Sequence, residues 1–533
     1  MVDCLIVGHN DGHFPTHVEM VERMGTDSGA FRDLALSYVQ WDGTPMRALD
    51  IFNRLEVPDA RGDTRRYHNF EFLWPTITYL GSFLSRHGLS FDYVNLFQEE
   101  KEEFKQKLAE KPLAVAVTTT LYVTPTPVME VVRFVREHSP ETTVVVGGPF
   151  VQNYGKQLSK KDLNALFTLL GADVYVDSNE GELALGRVLT ALREGRQPRG
   201  VPNVIYRDGG EFVFNPKEFE SNPLDENMVD YGRFSSLGNF VSLRISKSCP
   251  YSCAFCGFPA RAGKYVYLSP KQVEAELDRI REHESVTNLT FIDDTCNVPK
   301  GRFKKILRMM IDKKYDFRWN CFYRSDHGDQ EVIDLMAEAG CEGVFLGVES
   351  GSDRMLEAMN KTARRADYLR AIPALKKNGI VTHANLIVGF PGETEETVAE
   401  TRGLLEEARP DFFRAQLWYA DPITPVWERR EELGIEGSMF TWSHKTMDAD
   451  TAIGIVDDLF ATVRDPHWLP QTGFELWSVF YLMRRGMNLE QVKRVVGSFN
   501  DAVAENIGRS KPAEISEGAL AKLREAYRFT PAA

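Results

Sequence analysis

Residues 247–257 read Lys247-Ser-Cys249-Pro-Tyr-Ser-Cys253-Ala-Phe-Cys256-Gly257, directly after the apolar, strand-like run Val241 to Ser246. The spacing is C-x3-C-x2-C, with Phe255 just before the last cysteine. Three thiolates on one short loop suit three irons of a [4Fe–4S] cluster. Such clusters are usually held by four cysteines, so three leave one iron open to a small molecule. A structural zinc loop is the rival reading. It is weaker, because zinc sites usually take four ligands in paired elements and no second pair follows. Cys296, Cys321 and Cys341 stand singly in apolar or strand-like contexts, where cysteine often serves as a small buried hydrophobe.

Downstream of Val241 to Ser246, five further strand-like runs follow at Asn288 to Asp293, Phe317 to Tyr323, Gly343 to Gly347, Val381 to Val388 and Phe412 to Leu417, with helical segments between them. Six βα units in one run predict a partial (β/α)6 barrel over 236–420. The cysteines follow its first strand, at the C-terminal mouth where βα barrels carry their chemistry. From Asp421 onward the pattern is helical and polar, so 421–533 is expected to be mainly helical.

Upstream, a second α/β pattern occupies 1–200. Strand-like runs at Cys4 to Gly8, Phe91 to Leu96, Leu113 to Thr118, Thr143 to Val146 and Asp173 to Val176 alternate with helical stretches at Trp74 to His87, Pro127 to His138 and Gly181 to Glu194. This alternation predicts a Rossmann-like parallel sheet covered on both faces. The stretch at about 9–66 has little period and is expected to be an insertion that serves as a cap or substrate element. Residues 201–235 are richer in proline and turns. Within them Val204 to Tyr206 and Phe212 to Phe214 read as a hairpin in a linker between the domains.

The 533 residues hold 43% hydrophobic and 26% charged side chains, ordinary for a globular chain. Lysine plus arginine number 63 and aspartate plus glutamate 77, a net charge of −14. That balance argues against a general nucleic-acid or anionic-membrane surface. No apolar run is long enough to span a bilayer, and the N-terminus lacks a basic n-region. Seven cysteines, three of them in one loop, do not suggest a disulfide framework. A cytoplasmic location is expected, with no nucleic-acid or membrane partner.

The cysteine spacing resembles that of the radical S-adenosylmethionine (SAM) superfamily. The resemblance implies that the open iron chelates SAM and that one electron cleaves it to a 5′-deoxyadenosyl radical. Three further segments resemble the pattern shared by radical SAM methyltransferases and methylthiotransferases: Phe291-Ile-Asp-Asp-Thr295, Glu342 to Gly351, and Asn385 to Thr394. By that resemblance Asp293, Arg324, Glu349 and Ser350 lie near SAM, while Gly389 and Gly392 let backbone approach the adenosine. The plainer reading makes Asp293 a helix cap and the glycines ordinary turns.

Val144-Val-Val-Gly-Gly-Pro149 and Ala172 to Glu182 resemble the end of the cobalamin-binding domain found before many radical SAM domains. The resemblance implies that cobalamin contacts Thr118, Thr119, Gly147, Gly148, Glu180 and Glu182, at the C-terminal strand ends where open α/β sheets bind ligands. The D-x-H-x-x-G signature that donates histidine to cobalt is absent. His9 and His13 follow the first strand and cannot supply it, so cobalamin is expected without a protein histidine on its lower face. The rival is a degenerate domain that keeps the fold without the cofactor.

The blocks Asp3 to Gly12, Met24 to Asp33, Phe72 to Gly81 and Trp442 to Met447 resemble the PhpK-like family, named for a phosphinate P-methyltransferase. This resemblance covers nearly the whole chain. It implies a cobalamin-dependent radical SAM methyltransferase acting on a small natural-product intermediate, by C- or P-methylation, through a 5′-deoxyadenosyl radical and methylcobalamin. It also implies an external electron donor such as flavodoxin or ferredoxin. The substrate is expected between the barrel mouth and the cobalamin-side strand ends. Asp27, Ser28, Arg32, Trp418, Tyr419 and His444 stand as substrate contacts in this reading; otherwise they cap helices or bond to nearby backbone. Two rival functions remain: a radical SAM cyclase, mutase or oxidoreductase without methyl transfer, and a non-catalytic cobalamin- or SAM-binding sensor.

Overall fold

The computed structural model describes residues 2–68, 72–122, 124–470 and 472–529. Two seven-stranded sheets carry the α/β architecture, with smaller sheets and helices added. By contacts the chain divides into two compact units. The first comprises Met1–His13, Phe72–Pro250 and Phe258–Leu289; the second comprises Phe14–Glu71, Tyr251–Gly257 and Thr290–Ala533.

In the first sheet the strand order is Phe91–Leu96, Cys4–His9, Ala114–Thr118, Thr143–Gly147, Val174–Val176, Val204–Asp208 and Glu211–Phe214. The first five are parallel. Cys4–His9 and Ala114–Thr118 are buried along their whole length. This is why they read as unbroken apolar runs rather than alternating ones. Val115, Val117, Val144 and Val146 join Phe104, Val131, Phe150 and Phe167 in one apolar core. The proline- and turn-rich hairpin differs from its expected place in a linker: its first strand pairs antiparallel with Val174–Val176, its second pairs antiparallel with the first, and together they complete the sheet. Ile205 and Tyr206 are buried there, so the hairpin contributes core and is not a tether.

The second sheet runs Phe240–Leu243, Asn288–Phe291, Arg318–Tyr323, Cys341–Glu349, Val381–Val388, Phe412–Leu417 and His467–Trp468. Six strands lie in the expected sequence order. The seventh, two residues long, adds parallel to Phe412 and Phe413. Helices such as Lys300–Asp312, Arg365–Lys377 and Glu395–Ala408 occupy the crossovers. The region beyond Asp421 contains helices Ala449–Thr462, Leu476–Arg484, Leu489–Ala504 and Glu517–Ala526. It also contains a three-stranded antiparallel sheet, Glu436–Ser438, Thr441–His444 and Met447–Asp448, which helical periodicity does not show.

The expected insertion resolves into short helices Phe14–Glu22, Gly29–Ala35 and Ala48–Arg54 and a small hairpin. It groups with the second unit rather than with the N-terminal domain whose sequence it interrupts. Its contacts explain this: Gly29 packs against Leu417 and Ile453, and Arg414 donates to Asp33 at 2.7 Å. No described helix is long and apolar enough to cross a membrane.

Gly351, just beyond Cys341–Glu349, lies against helix Glu395–Ala408. A Cβ there would stand 2.6 Å from the Thr401 Cα and 2.7 Å from the Glu400 carbonyl oxygen. Backbone cannot yield as a side-chain tip can. Gly351→Ala is therefore expected to lower the unfolding free energy by roughly 1–3 kcal/mol, measured by urea denaturation; an unchanged midpoint would refute this close packing.

Candidate functional site

The cysteine loop is held in place by main-chain bonds. In the second unit Ala254 N–H donates to the Met359 carbonyl and Val426 N–H to the Ala254 carbonyl, both at 2.9 Å. The Asn360 amide donates to the Ser252 carbonyl at 2.8 Å. Cys256 N–H closes a turn onto the Cys253 carbonyl at 3.0 Å. Cys249, Cys253 and Cys256 are half-buried, whereas Cys4, Cys296, Cys321 and Cys341 are fully buried. Sulfur donors at this sequence spacing suit an iron–sulfur cluster by their chemistry; among the described residues no three His, Cys, Asp or Glu side chains are gathered so as to hold a single metal ion.

Charge around Cys253 supports this fit. Burial pushes its thiol up, while Lys361 and Arg324 draw it down. The Lys361 ammonium is buried and donates to the Gly347 carbonyl at 2.6 Å and to Glu349 at 3.1 Å. Burial disfavours its charge more than any single neighbour favours it, but Glu349, Tyr368 and Cys253 together outweigh burial and the group stays protonated more firmly than an ordinary lysine. Glu349 is brought there by an irregularity: the strand register shifts between Gly347 and Glu349, and Glu349 adopts φ +65°. A bulge of this kind re-aims a side chain at a strand end.

Arg324 also faces Cys253, but much of its donor capacity is already used. Its Nε and Nη2 donate to Asp326 at 3.2 and 2.9 Å, and Nη2 donates to Thr362 at 2.7 Å. Its guanidinium lies 3.6 Å over the Tyr251 ring. Ser350 is fully buried and bonded to Thr401 and to Ser352 N–H, so it braces the turn. Asp293 is buried, and its charge acts on the buried thiols Cys296 and Cys321. Among the sequence-predicted residues, then, Cys253, Arg324 and Glu349 share one electrostatic neighbourhood. Lys361, Tyr251, Asp326 and Thr362 complete it and carried no recognisable signal in the sequence.

Gly389 begins a turn after Val381–Val388 with φ +91°. Its N–H donates to the buried Glu393 carboxylate, and its carbonyl accepts from His444 at 3.0 Å. The other sequence-stretch candidates have local partners too. Ser28 caps helix Gly29–Ala35 by accepting from Phe31 N–H, and Arg32 pairs with Asp457.

In the first unit the predicted strand-end residues are placed together, and most of their polar atoms bond inward. Thr118 donates to the Gly8 carbonyl at 2.7 Å. Thr119 donates to the Gly147 carbonyl at 2.9 Å and accepts from Phe150 N–H. Gly148, at φ +113°, passes so near Thr119 that a Cβ would stand 2.8 Å from its Oγ1. Glu180 forms a buried pair with Lys247 at 2.6 Å and accepts from Asn222 N–H. Burial raises the carboxyl of Glu182, which accepts from the Asn222 amide at 3.2 Å. The residue sequence reasoning missed is Glu220. Its carboxylate accepts from Gly181 N–H at 3.1 Å and Leu183 N–H at 2.7 Å, filling the start of helix Glu182–Arg193 with the chain's own anion. Beside these bonded loops Leu121, at φ +69°, is 60% exposed.

Residues 243–405 match the model of the radical SAM superfamily. The chain carries a radical SAM catalytic domain. That domain brings with it the SAM and [4Fe–4S] cluster expected from the cysteine loop. Among curated proteins, the chain is 27% identical over 293 residues to an uncharacterized methyltransferase of Pyrococcus horikoshii, covering 54% of this chain and 62% of the relative. It is 26% identical over 275 residues to the anaerobic magnesium-protoporphyrin IX monomethyl ester cyclase of Rubrivivax gelatinosus, covering 49% of each. The chain thus spans about half to just under two thirds of these relatives. Two solved structures share the fold. The radical SAM methyltransferase TsrM of Kitasatospora setae, with cobalamin and a [4Fe–4S] cluster bound, covers 99% of both chains at TM-score 0.57 and 17% identity. The cobalamin-dependent SAM radical enzyme OxsB, with aqua-cobalamin bound, covers 86% of this chain and 81% of its own at TM-score 0.56 and 14% identity.

Two outcomes test the radical SAM site as described. Lys361→Met leaves Glu349 buried without its cation, so stability is expected to fall by roughly 3–5 kcal/mol in urea denaturation; a loss within error of zero would contradict the buried pair. Burial also pushes the Glu393 carboxyl up to about 7, against about 4.3 in an unfolded chain. The folded state therefore holds the extra proton between those values. Its stabilisation is complete below about pH 4 and is lost as pH rises through about 7. Relative to Glu393→Gln, the wild type is expected to lose stability from about pH 4 to about pH 7; a pH-independent difference would count against the burial.

Proposed function

We propose that this chain is a cobalamin-dependent radical SAM methyltransferase that acts on a small natural-product intermediate at carbon or phosphorus. The observation that carries the reading is the half-buried Cys253 on its pinned loop, set beside Lys361, Arg324 and Glu349. A cluster with one open iron supplies the electron that cleaves SAM, and cobalamin supplies a transferable methyl group. The chain's own part is placement. Main-chain bonds from Met359 and Val426 fix the loop that presents the thiolates. Lys361 and Arg324 lower the cost of negative charge on Cys253. Glu349 keeps one oxygen on Lys361, which leaves its second oxygen as an acceptor for an ammonium or ribose hydroxyl.

Support for cobalamin comes from the first unit. Internal bonds tie down Thr118, Thr119, Glu180 and Glu220 at the strand ends. Such a surface offers a ligand mainly backbone at Gly147 and Gly148, together with the exposed apolar Leu121. An apolar, backbone-lined platform suits the face of a corrin. The strand-end segments 118–121, 147–148 and 177–182 contain no histidine, and His9, which ends the neighbouring strand Cys4–His9, is buried against Trp74 and Tyr122; both support a cobalt that takes no imidazole from this protein. The fold shared over nearly the full length with a cobalamin-bound methyltransferase points the same way.

A second reading, radical chemistry without methyl transfer, is favoured by the likeness to a ring-forming cyclase. Product mass separates the two, since methylation adds one CH2 and rearrangement adds nothing.

Protein reconstituted anaerobically with iron, sulfide and cobalamin is expected to bind one [4Fe–4S] cluster and to cleave SAM under reducing conditions. Replacing Cys249, Cys253 and Cys256 together by alanine is expected to abolish both, with cobalamin uptake retained. Unchanged iron content in the triple variant would overturn the cluster assignment. The cob(II)alamin form is expected to lack nitrogen hyperfine splitting from a protein imidazole in electron paramagnetic resonance; clear splitting, or no cobalamin uptake, would overturn the cobalamin assignment.

A further inference from the structure

The turn Gly389-Phe-Pro-Gly392 is linked at both ends to one imidazole on a distant part of the chain, directly at Gly389 and through the Thr446 hydroxyl at Gly392. At one end, His444 Nε2 lies 3.0 Å from the Gly389 carbonyl. A carbonyl only accepts, so Nε2 carries the proton and donates. At the other end, Gly392 N–H donates to Thr446 Oγ1 at 3.1 Å. The Thr446 hydroxyl lies 3.2 Å from His444 Nδ1, and Thr446 N–H lies 3.3 Å from the same nitrogen. With its proton on Nε2, the neutral ring accepts at Nδ1, and burial keeps it neutral by lowering its pKa. The result is one continuous chain of donors: Gly392 N–H to the Thr446 hydroxyl, that hydroxyl to Nδ1, and Nε2–H to the Gly389 carbonyl.

The ring itself is immobilised. His444 is 9% exposed and stacks on Trp442 with centroids 5.2 Å apart and planes 4° apart. Trp442 donates its indole N–H to the Trp418 carbonyl at 2.9 Å. It also fills the space beside Gly389, where a Cβ would stand 2.4 Å from the indole. The hairpin that carries both residues is tied to the end of the sheet by the mutual main-chain bonds of Ala420 and Met439, each 3.0 Å.

We propose that His444 and Thr446 are positioning residues for SAM: they hold the Gly389–Gly392 turn at the separation that receives the adenosyl group. The inference rests on the radical SAM reading of that turn. Neither residue touches SAM; both act through backbone, and both lie outside residues 243–405, the extent of the superfamily match. In this way the C-terminal hairpin sets cofactor affinity in a domain to which it does not belong by sequence.

The variants separate the two arms of the clamp. Thr446→Val removes the hydroxyl link at an exposed position, and Thr446→Ser restores it. His444→Asn keeps an acceptor for Thr446 but lacks the reach to donate to Gly389. The probe is SAM itself, titrated calorimetrically into the cluster-reconstituted full chain. Thr446→Val and His444→Asn are each expected to weaken SAM binding roughly three- to tenfold, the fold-change that loss of one hydrogen bond gives. Thr446→Ser is expected to return the affinity to within about twofold of wild type. KM for SAM is expected to rise with kcat at saturating SAM unchanged, and the Gly392 amide to exchange faster with deuterium in Thr446→Val. Wild-type affinity in both weakened variants would overturn the clamp while leaving the proposed function intact. Failure of the cluster-loaded wild type to bind SAM would overturn the proposed function and, with it, this inference.

Discussion

A buried cation needs an acceptor within reach, and the site in the second unit is organised around that requirement. Lys361 is buried with little water to solvate its ammonium, so it takes the Gly347 carbonyl and the Glu349 carboxylate. Meeting it obliges the strand to break register at Gly347 and Glu349 to adopt a left-handed backbone. The same segment of chain, two residues earlier, supplies the Met359 carbonyl that anchors Ala254 in the cysteine loop. One ion pair therefore bears on the strand end, on the loop that presents the thiols, and on the charge felt by Cys253.

The first unit meets an equivalent requirement by different means. The N-terminus of helix Glu182–Arg193 is a natural place for an anion, and this chain supplies its own in Glu220. Glu180, which the turn motif offers as a ligand, is paired with Lys247. These residues act chiefly as structural ties. Cofactor recognition at such strand ends then falls to backbone shape and apolar surface, which a motif marks only through its glycines.

Much of the architecture was legible because parallel strands buried on both faces must be continuously apolar. Cys4–His9, Ala114–Thr118 and Thr143–Gly147 announce themselves for that reason, and the cysteine spacing announces the loop. Other features leave weaker traces. His467–Trp468 is too short for any periodicity. The hairpin of Val204–Asp208 and Glu211–Phe214 reads equally well as a tether or as an edge pair until its partner strand is known. The segment beginning at Phe14 interrupts one unit in sequence but packs with the other, because Gly29 and Asp33 find their neighbours at Leu417 and Arg414.

The sequence by itself determined the order of the main strands and helices, the three-thiol loop and its place shortly after the first strand of the second sheet, because these depend on spacing and on the periodicity of apolar residues. Only the tertiary structure decided which polar groups are still available for chemistry. Arg324 reads as a ligand for a carboxylate, yet its Nε and Nη2 already bond to Asp326 and Thr362. Lys361 carries no signal in the sequence, and Thr446 stands only inside a block read for family likeness, yet one neutralises a buried glutamate and the other closes the turn at Gly392. A side chain's chemistry is written in its identity, but whether its hydrogen-bonding capacity remains free depends on the atoms that the fold brings near it.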